Sequence, residues 1–160
     1  MKKYLEKLSV EIKKIISLAA DVSRQTRMPA YLVGGFLRDL ILGVKNFDLD
    51  ITVEGSGISF AEKLAERLKS GIITHERFGT ATLILKGRLK VDIATTRRER
   101  YPCCASLPVV SSGSLSEDLM RRDFTINAMA VSVACGQGQK LIDPFGGKDD
   151  LAAKRIRILH

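Results

Sequence analysis

Two aspartates stand one residue apart in NFDLDITV, at Asp48 and Asp50. The alternation of Phe47, Leu49, Ile51 and Val53 with Asp48, Asp50 and Thr52 predicts a strand, so both carboxylates leave the same face. Side-by-side carboxylates repel, and a hard divalent cation such as Mg²⁺ relieves that repulsion. Taken alone, an Asp-x-Asp pair is more often the exposed face of a polar strand. A third carboxylate, Asp92 in LKVDIATT, sits in another strand-like run with Val91 and Ile93 turned the other way. If the two strands are neighbours, three carboxylates converge, an arrangement suited to two-metal displacement at phosphorus.

Ahead of the aspartates stands YLVGGFLRDLILG, which reads as a short strand, the glycine pair Gly34-Gly35 and a helix stopped by Gly43. Amides at such a helix N-terminus favour an anion. Arg38, one turn in, can add a charge-assisted contact to a phosphate oxygen, with Asp39 to orient it. A glycine pair alone makes only a turn; its place just before the Asp48 strand gives it meaning. Further on, RRDFTINAMA spans Arg121 to Ala130. Helical spacing would turn Phe124, Ala128 and Met129 to a core and leave Arg122, Asp123 and Asn127 to reach a nucleotide. The bland alternative is a helix with a salt-bridged polar face. His75, a single histidine on a strand, is expected to be structural.

These residues need elements to carry them. Residues 3–24 set Leu5, Leu8, Ile12, Ile15, Ile16 and Ala19 on one helical face. Gly55 and Gly57 turn the chain into a helix over about 58–69, followed by strand-like IITHERF, TATLILK and LKVDIATT. Lys86-Gly87-Arg88 suggests a hairpin between the last two. Residues 101–117, with two prolines and many serines, are expected to form a loop. A helix is predicted over 117–128, and AVSVAC and KLIDPF are expected to make a terminal pair of strands. The pattern predicts an α/β (α+β) domain with one mixed sheet.

The chain has 160 residues, enough for one sizeable core. Its 26 basic against 18 acidic residues give a net charge of +8, which favours polyanionic partners. Apolar runs are too short to span a membrane, and Glu6 and Glu11 interrupt any signal-like core, so a cytoplasmic protein is expected. Cys103, Cys104 and Cys135 show no metal-ligand spacing and are expected to be reduced, structural thiols.

The ordered set GGFLRD, DLD, FGTATL, VDIATTRRERY and EDLMRRDFTINAMA resembles the catalytic head of class II tRNA nucleotidyltransferases, the CCA-adding enzymes, and their bacterial poly(A) polymerase relatives. The resemblance runs from about residue 30 to the end, leaving residues 1–29 as a helix packing on a head of residues 30–160. It implies a nucleotidyltransferase (polymerase β-like) fold, a mixed sheet flanked by helices. By position, Asp48 and Asp50 match the metal-binding aspartates and Asp92 the third catalytic carboxylate. Gly34, Gly35, Arg38 and Arg122 match contacts to incoming ATP or CTP, and Asp123 and Asn127 belong to the same motif. Residues 97–116 match a flexible loop between motifs. The implied reaction adds CMP or AMP to an RNA 3′ end, tRNA CCA addition foremost, with Mg²⁺ (two ions) and release of pyrophosphate. The alternatives are a poly(A) polymerase head, or a nucleotide- or RNA-binding piece without catalysis. In the family a neck follows the head and selects the base, with body and tail domains behind it. This chain ends about where the neck begins, so base selection is expected to lie outside it.

Overall fold

Apolar residues recur at every second position in three of the runs above, and those runs form the centre of the sheet. The structure is a computed structural model, and it describes residues 1–85, 87, 89–100, 109–134 and 140–159. In chain order, α1 (Lys2–Leu5) and α2 (Val10–Thr26) precede β1 (Ala30–Val33) and α3 (Gly34–Leu42). Then come β2 (Asp48–Val53), α4 (Gly57–Leu68), β3 (Gly71–His75), β4 (Thr80–Ile84) and β5 (Lys90–Thr95). A ribbon of β6 (Arg97–Arg100) and β7 (Val109–Ser112) leads to α5 (Leu115–Met120), β8 (Ala130–Ser132) and α6 (Gly147–Ala152).

The main sheet has the order β3-β4-β5-β2-β1-β8. Every pairing in it is antiparallel except β2 with β5, which run parallel. Sheet and helices together make the expected mixed α/β architecture. Leu49, Ile51 and Val53 of β2, Ala81 and Leu83 of β4, and Val91 and Ile93 of β5 are buried in one cluster. That cluster also holds Ile12, Ile15, Ile16 and Ala19 of α2 and Phe60, Ala61 and Leu64 of α4. The opposite face of β2, β4 and β5 carries Asp48, Asp50, Thr82 and Asp92.

Several expectations change. The first helix is two, because Ser9 takes an extended backbone and its hydroxyl accepts from the Ile12 amide, starting α2 afresh. The run IITHERF is a strand only to His75; Glu76–Phe78 is a 3₁₀ turn. His75 itself lies exposed on that edge strand. Part of the expected loop over 101–117 pairs instead: Val109–Ser112 lies antiparallel against Arg97–Arg100. Ser114 and Glu117 then form a reciprocal capping box that opens α5 at Leu115.

The helix expected over 117–128 stops at Met120. Asp123 accepts from the Phe124 amide at 2.8 Å, a local bond that competes with helix. Thr125–Asn127 makes a 3₁₀ turn. The Thr125 hydroxyl is buried and donates to Asp150 at 2.7 Å. Ala128 and Met129 are fully buried as expected, whereas Phe124 is only half-buried. The terminal strand pair shrinks to β8 and one bridge, Ala130 to Ile142. Cys103, Cys104, Cys135 and two residues of the expected 86–88 hairpin lie outside the described residues.

Candidate active site

The parallel pairing of β2 and β5 sets Asp50 directly beside Asp92 and Asp48 beside Lys90. The adjacency that the spacing left open is therefore present. Asp50 and Asp92 line an open cleft of about 390 Å³. Gly34, Gly35, Arg121, Arg122, Asp123 and Asn127 line it too, and Asp48 lies at the exposed start of β2 beside it. A larger groove of about 540 Å³ runs between the start of α2 and α3, walled by apolar residues such as Ile12, Phe36 and Leu40. It holds none of the candidate residues.

Gly34 ends β1 with φ +66°, a left-handed backbone that turns the strand straight into α3. A Cβ there would sit 3.1 Å from Arg122 Nη1 and 3.2 Å from Asp50 Oδ2. The missing side chain thus lets a cation and an anion close in from two sides. The amide of Phe36, at the helix N-terminus, donates to the Asp50 carboxylate. At least one amide of that terminus therefore serves an internal anion.

Arg38 does not enter the cleft as a free fork. Its Nε donates to Asp39 Oδ1 at 2.8 Å and its Nη1 to Asn127 Oδ1 at 2.9 Å. Asn127 Nδ2 in turn donates to Asp123 Oδ1 at 3.2 Å, and Asn46 Nδ2 to Asp39 Oδ2 at 2.8 Å. This run of bonds fastens α3 to the 3₁₀ turn. Arg122 donates through Nη2 to Asp118 Oδ2 at 3.0 Å, while its buried Nε has no partner.

Burial pushes the Asp50 carboxyl above its ordinary range, and the Asp92 charge pushes it further; Arg122 pulls the other way. Asp92 has both oxygens engaged. Thr82 donates its hydroxyl to Oδ1 at 2.6 Å, and Lys90 Nζ lies 2.7 Å from Oδ2. That bond to Asp92 holds the Lys90 ammonium above its usual range.

Asp48, Asp50 and Asp92 offer hard oxygens on one sheet face, and a cation would relieve the repulsion between Asp50 and Asp92. The donor set therefore fits Mg²⁺ or Mn²⁺. Among the described residues, no three acidic, histidine or cysteine side chains are gathered tightly enough to hold an ion as they stand. A metal approaching Asp92 Oδ2 would compete with the Lys90 ammonium.

Three contributors escape a reading of the sequence. Asp118 is fully buried and takes Arg121 Nη2 at 2.7 Å, Arg122 Nη2 at 3.0 Å and the Arg97 amide at 3.3 Å. Its spacing of three and four residues from the arginines was the available signal. Thr82 carries no local signal, because its bond to Asp92 crosses from β4 to β5; Lys90 stands two residues before Asp92 in the same strand, and strand alternation was its signal.

A profile of the poly A polymerase head domain matches residues 30–157. The chain belongs to that head-domain family. It is 48% identical over 139 residues to an A-adding tRNA nucleotidyltransferase of Geobacter sulfurreducens, covering 87% of this chain and 16% of that protein. It is 40% identical over 131 residues to a CC-adding tRNA nucleotidyltransferase of Deinococcus radiodurans, covering 81% and 34%. A CCA-adding enzyme in an apo form superposes with TM-score 0.91 and 43% identity, over 99% of this chain and 38% of that one. This head thus spans about a sixth to two-fifths of each of these relatives. No helix among the described residues is long and apolar enough to cross a membrane.

Proposed function

We propose that this head catalyses nucleotide transfer to the 3′ end of a tRNA. The 3′ hydroxyl forms a bond to the α-phosphorus of a nucleoside triphosphate, the bond to the leaving oxygen breaks, and pyrophosphate departs. Asp48 and Asp50 would hold the divalent metal, Mg²⁺ by the chemistry of the donors and two ions by resemblance. Bound there, the metal supplies charge neutralisation at the phosphates and lowers the pKa of the attacking hydroxyl.

The protein's own groups do the rest. Asp92, fixed by Thr82, would help to activate the hydroxyl. Arg122, held by Asp118, would meet the triphosphate from the Nη1 side of its guanidinium, which faces Gly34, while Gly34 and Gly35 allow the chain to approach closely. Arg38, Asp123 and Asn127 shape the sugar and phosphate side of the cleft as one hydrogen-bonded unit. Most of the acceleration then comes from positioning and charge stabilisation.

The observation that carries this reading is the register of β2 and β5. It brings Asp50 and Asp92 together beside Asp48, at a cleft that also holds Gly34 and Arg122. Identity runs from 40% to 50% over three A-adding relatives and from 32% to 40% over three CC-adding ones, a lean towards AMP from ATP. The same reading puts the protein in the cytoplasm with tRNA.

The test is incorporation of labelled ATP and CTP into tRNA lacking its terminal adenosine. With the head joined to the neck that the resemblance places behind it, the expected result is Mg²⁺-dependent addition of one AMP, lost to background in Asp48→Ala with the fold intact by circular dichroism. Undiminished turnover by that variant overturns the metal role; preferential CMP addition overturns the choice of base.

A further inference from the structure

We propose that Lys90 is a resident counter-cation for the carboxylate face and exchanges with the catalytic metal for Asp92. The inference rests on the metal role given above to Asp48 and Asp50. Its observations are geometric. Lys90 stands beside Asp48 in the parallel register and two residues before Asp92, so its stem rises from the same sheet face as all three acids. Its ammonium lies 2.7 Å from Asp92 Oδ2, and the other oxygen, Oδ1, is taken by the Thr82 hydroxyl. Asp92 therefore has no carboxylate oxygen clear of the protein's own donors.

An oxygen in an ion pair with an ammonium cannot face a metal from the same side. A metal at Asp92 Oδ2 and the Lys90 ammonium thus compete for that oxygen, while the Thr82 bond to Oδ1 persists in both states. The exchange is feasible because the pair is weak. The Lys90 side chain is 51% exposed and that of Asp92 37%. Pairs in such surroundings are screened and cost little to break. The four-carbon stem is long enough to carry the charge off Asp92 without moving β5. Without the ammonium, three carboxylates would share one face with too few opposing charges.

The two roles pull a substitution in opposite directions, which makes the proposal testable by binding. Mn²⁺ binding to the unsubstituted protein, Lys90→Met, Lys90→Arg and Asp50→Asn is followed by electron paramagnetic resonance of the free ion. Thermal unfolding is measured in parallel with and without Mn²⁺.

Lys90→Met is expected to bind Mn²⁺ about three- to tenfold more tightly, the gain from losing a weak competing pair and one like charge. Its melting temperature should fall without metal and rise further on adding it. Lys90→Arg should behave as the unsubstituted protein does. Mn²⁺ affinity of Lys90→Met within twofold of the unsubstituted protein, or weaker, overturns the exchange. An unsubstituted protein whose Mn²⁺ binding matches that of Asp50→Asn overturns the metal reading itself, and the exchange with it.

Discussion

Ionising Asp50 places a negative charge in a half-enclosed cleft next to Asp92, with Arg122 as partial compensation. Its carboxyl titrates above the unfolded value of about 3.9. The sign follows from linkage. A raised carboxyl favours the folded state while protonated, so its contribution is complete below the unfolded value and is lost as pH rises through the folded one. At pH 7 in a chelator, Asp50→Asn is therefore expected to melt at a higher temperature than the unsubstituted protein. At pH 3 the difference should vanish. A lower melting temperature for the variant at pH 7 would contradict the cost assigned to the charge. The acids themselves were legible in the sequence, because strand alternation fixes the face of Asp48, Asp50 and Asp92. The partners that tune them were not. Thr82 acts across strand register, which no neighbouring residue type reveals, whereas Lys90 and Asp118 left only spacing signals, two residues before Asp92 and one helical turn before the arginines.

Gly57 decides how α4 sits on the sheet. A Cβ there would lie 2.6 Å from the Thr95 amide nitrogen and 2.8 Å from the Ala94 carbonyl carbon, backbone atoms that have nowhere to go. The Gly57 amide also donates to Thr95 Oγ1 at 2.9 Å, locking the start of α4 to the end of β5. Gly57→Ala is expected to lift the helix and cost about 1–3 kcal/mol, read by denaturant unfolding. ATP binding should weaken with it, since β5 carries Asp92. Stability equal to that of the unsubstituted protein would mean that the helix is free to shift. At this scale the long amphipathic elements were readable from period alone. The region from Arg121 to Ala128 was not, because its helix yields to bonds from Asp123 to its own backbone and from Thr125 to Asp150, 25 residues away. The pairing of residues 109–112 with 97–100 was hidden for a related reason: serines and valines gain a strand only from the arginine-rich partner.

For the molecule as a whole, α2 and the sheet share one apolar cluster, and Ile15 of α2 is 1% exposed within it. We propose that residues 1–29 fold as one unit with residues 30–160. Ile15→Ala should then cost about 2–5 kcal/mol and keep a single unfolding transition by fluorescence and circular dichroism. Two separated transitions would disprove that unity. The positive charge legible in the sequence belongs to this scale as well, for it biases the entire surface towards polyanions and says nothing of which groups meet them. The parallel pairing at the centre of the sheet carries a different consequence, one of timing. Strands β2 and β5 run the same way, so the chain between them, which carries α4 and the β3–β4 hairpin, must cross over and return for Asp92 to settle beside Asp50. Contacts between residues so far apart in the chain form slowly. Until β5 is docked, Asp50 therefore lacks its acidic neighbour, whatever the order in which the other elements form.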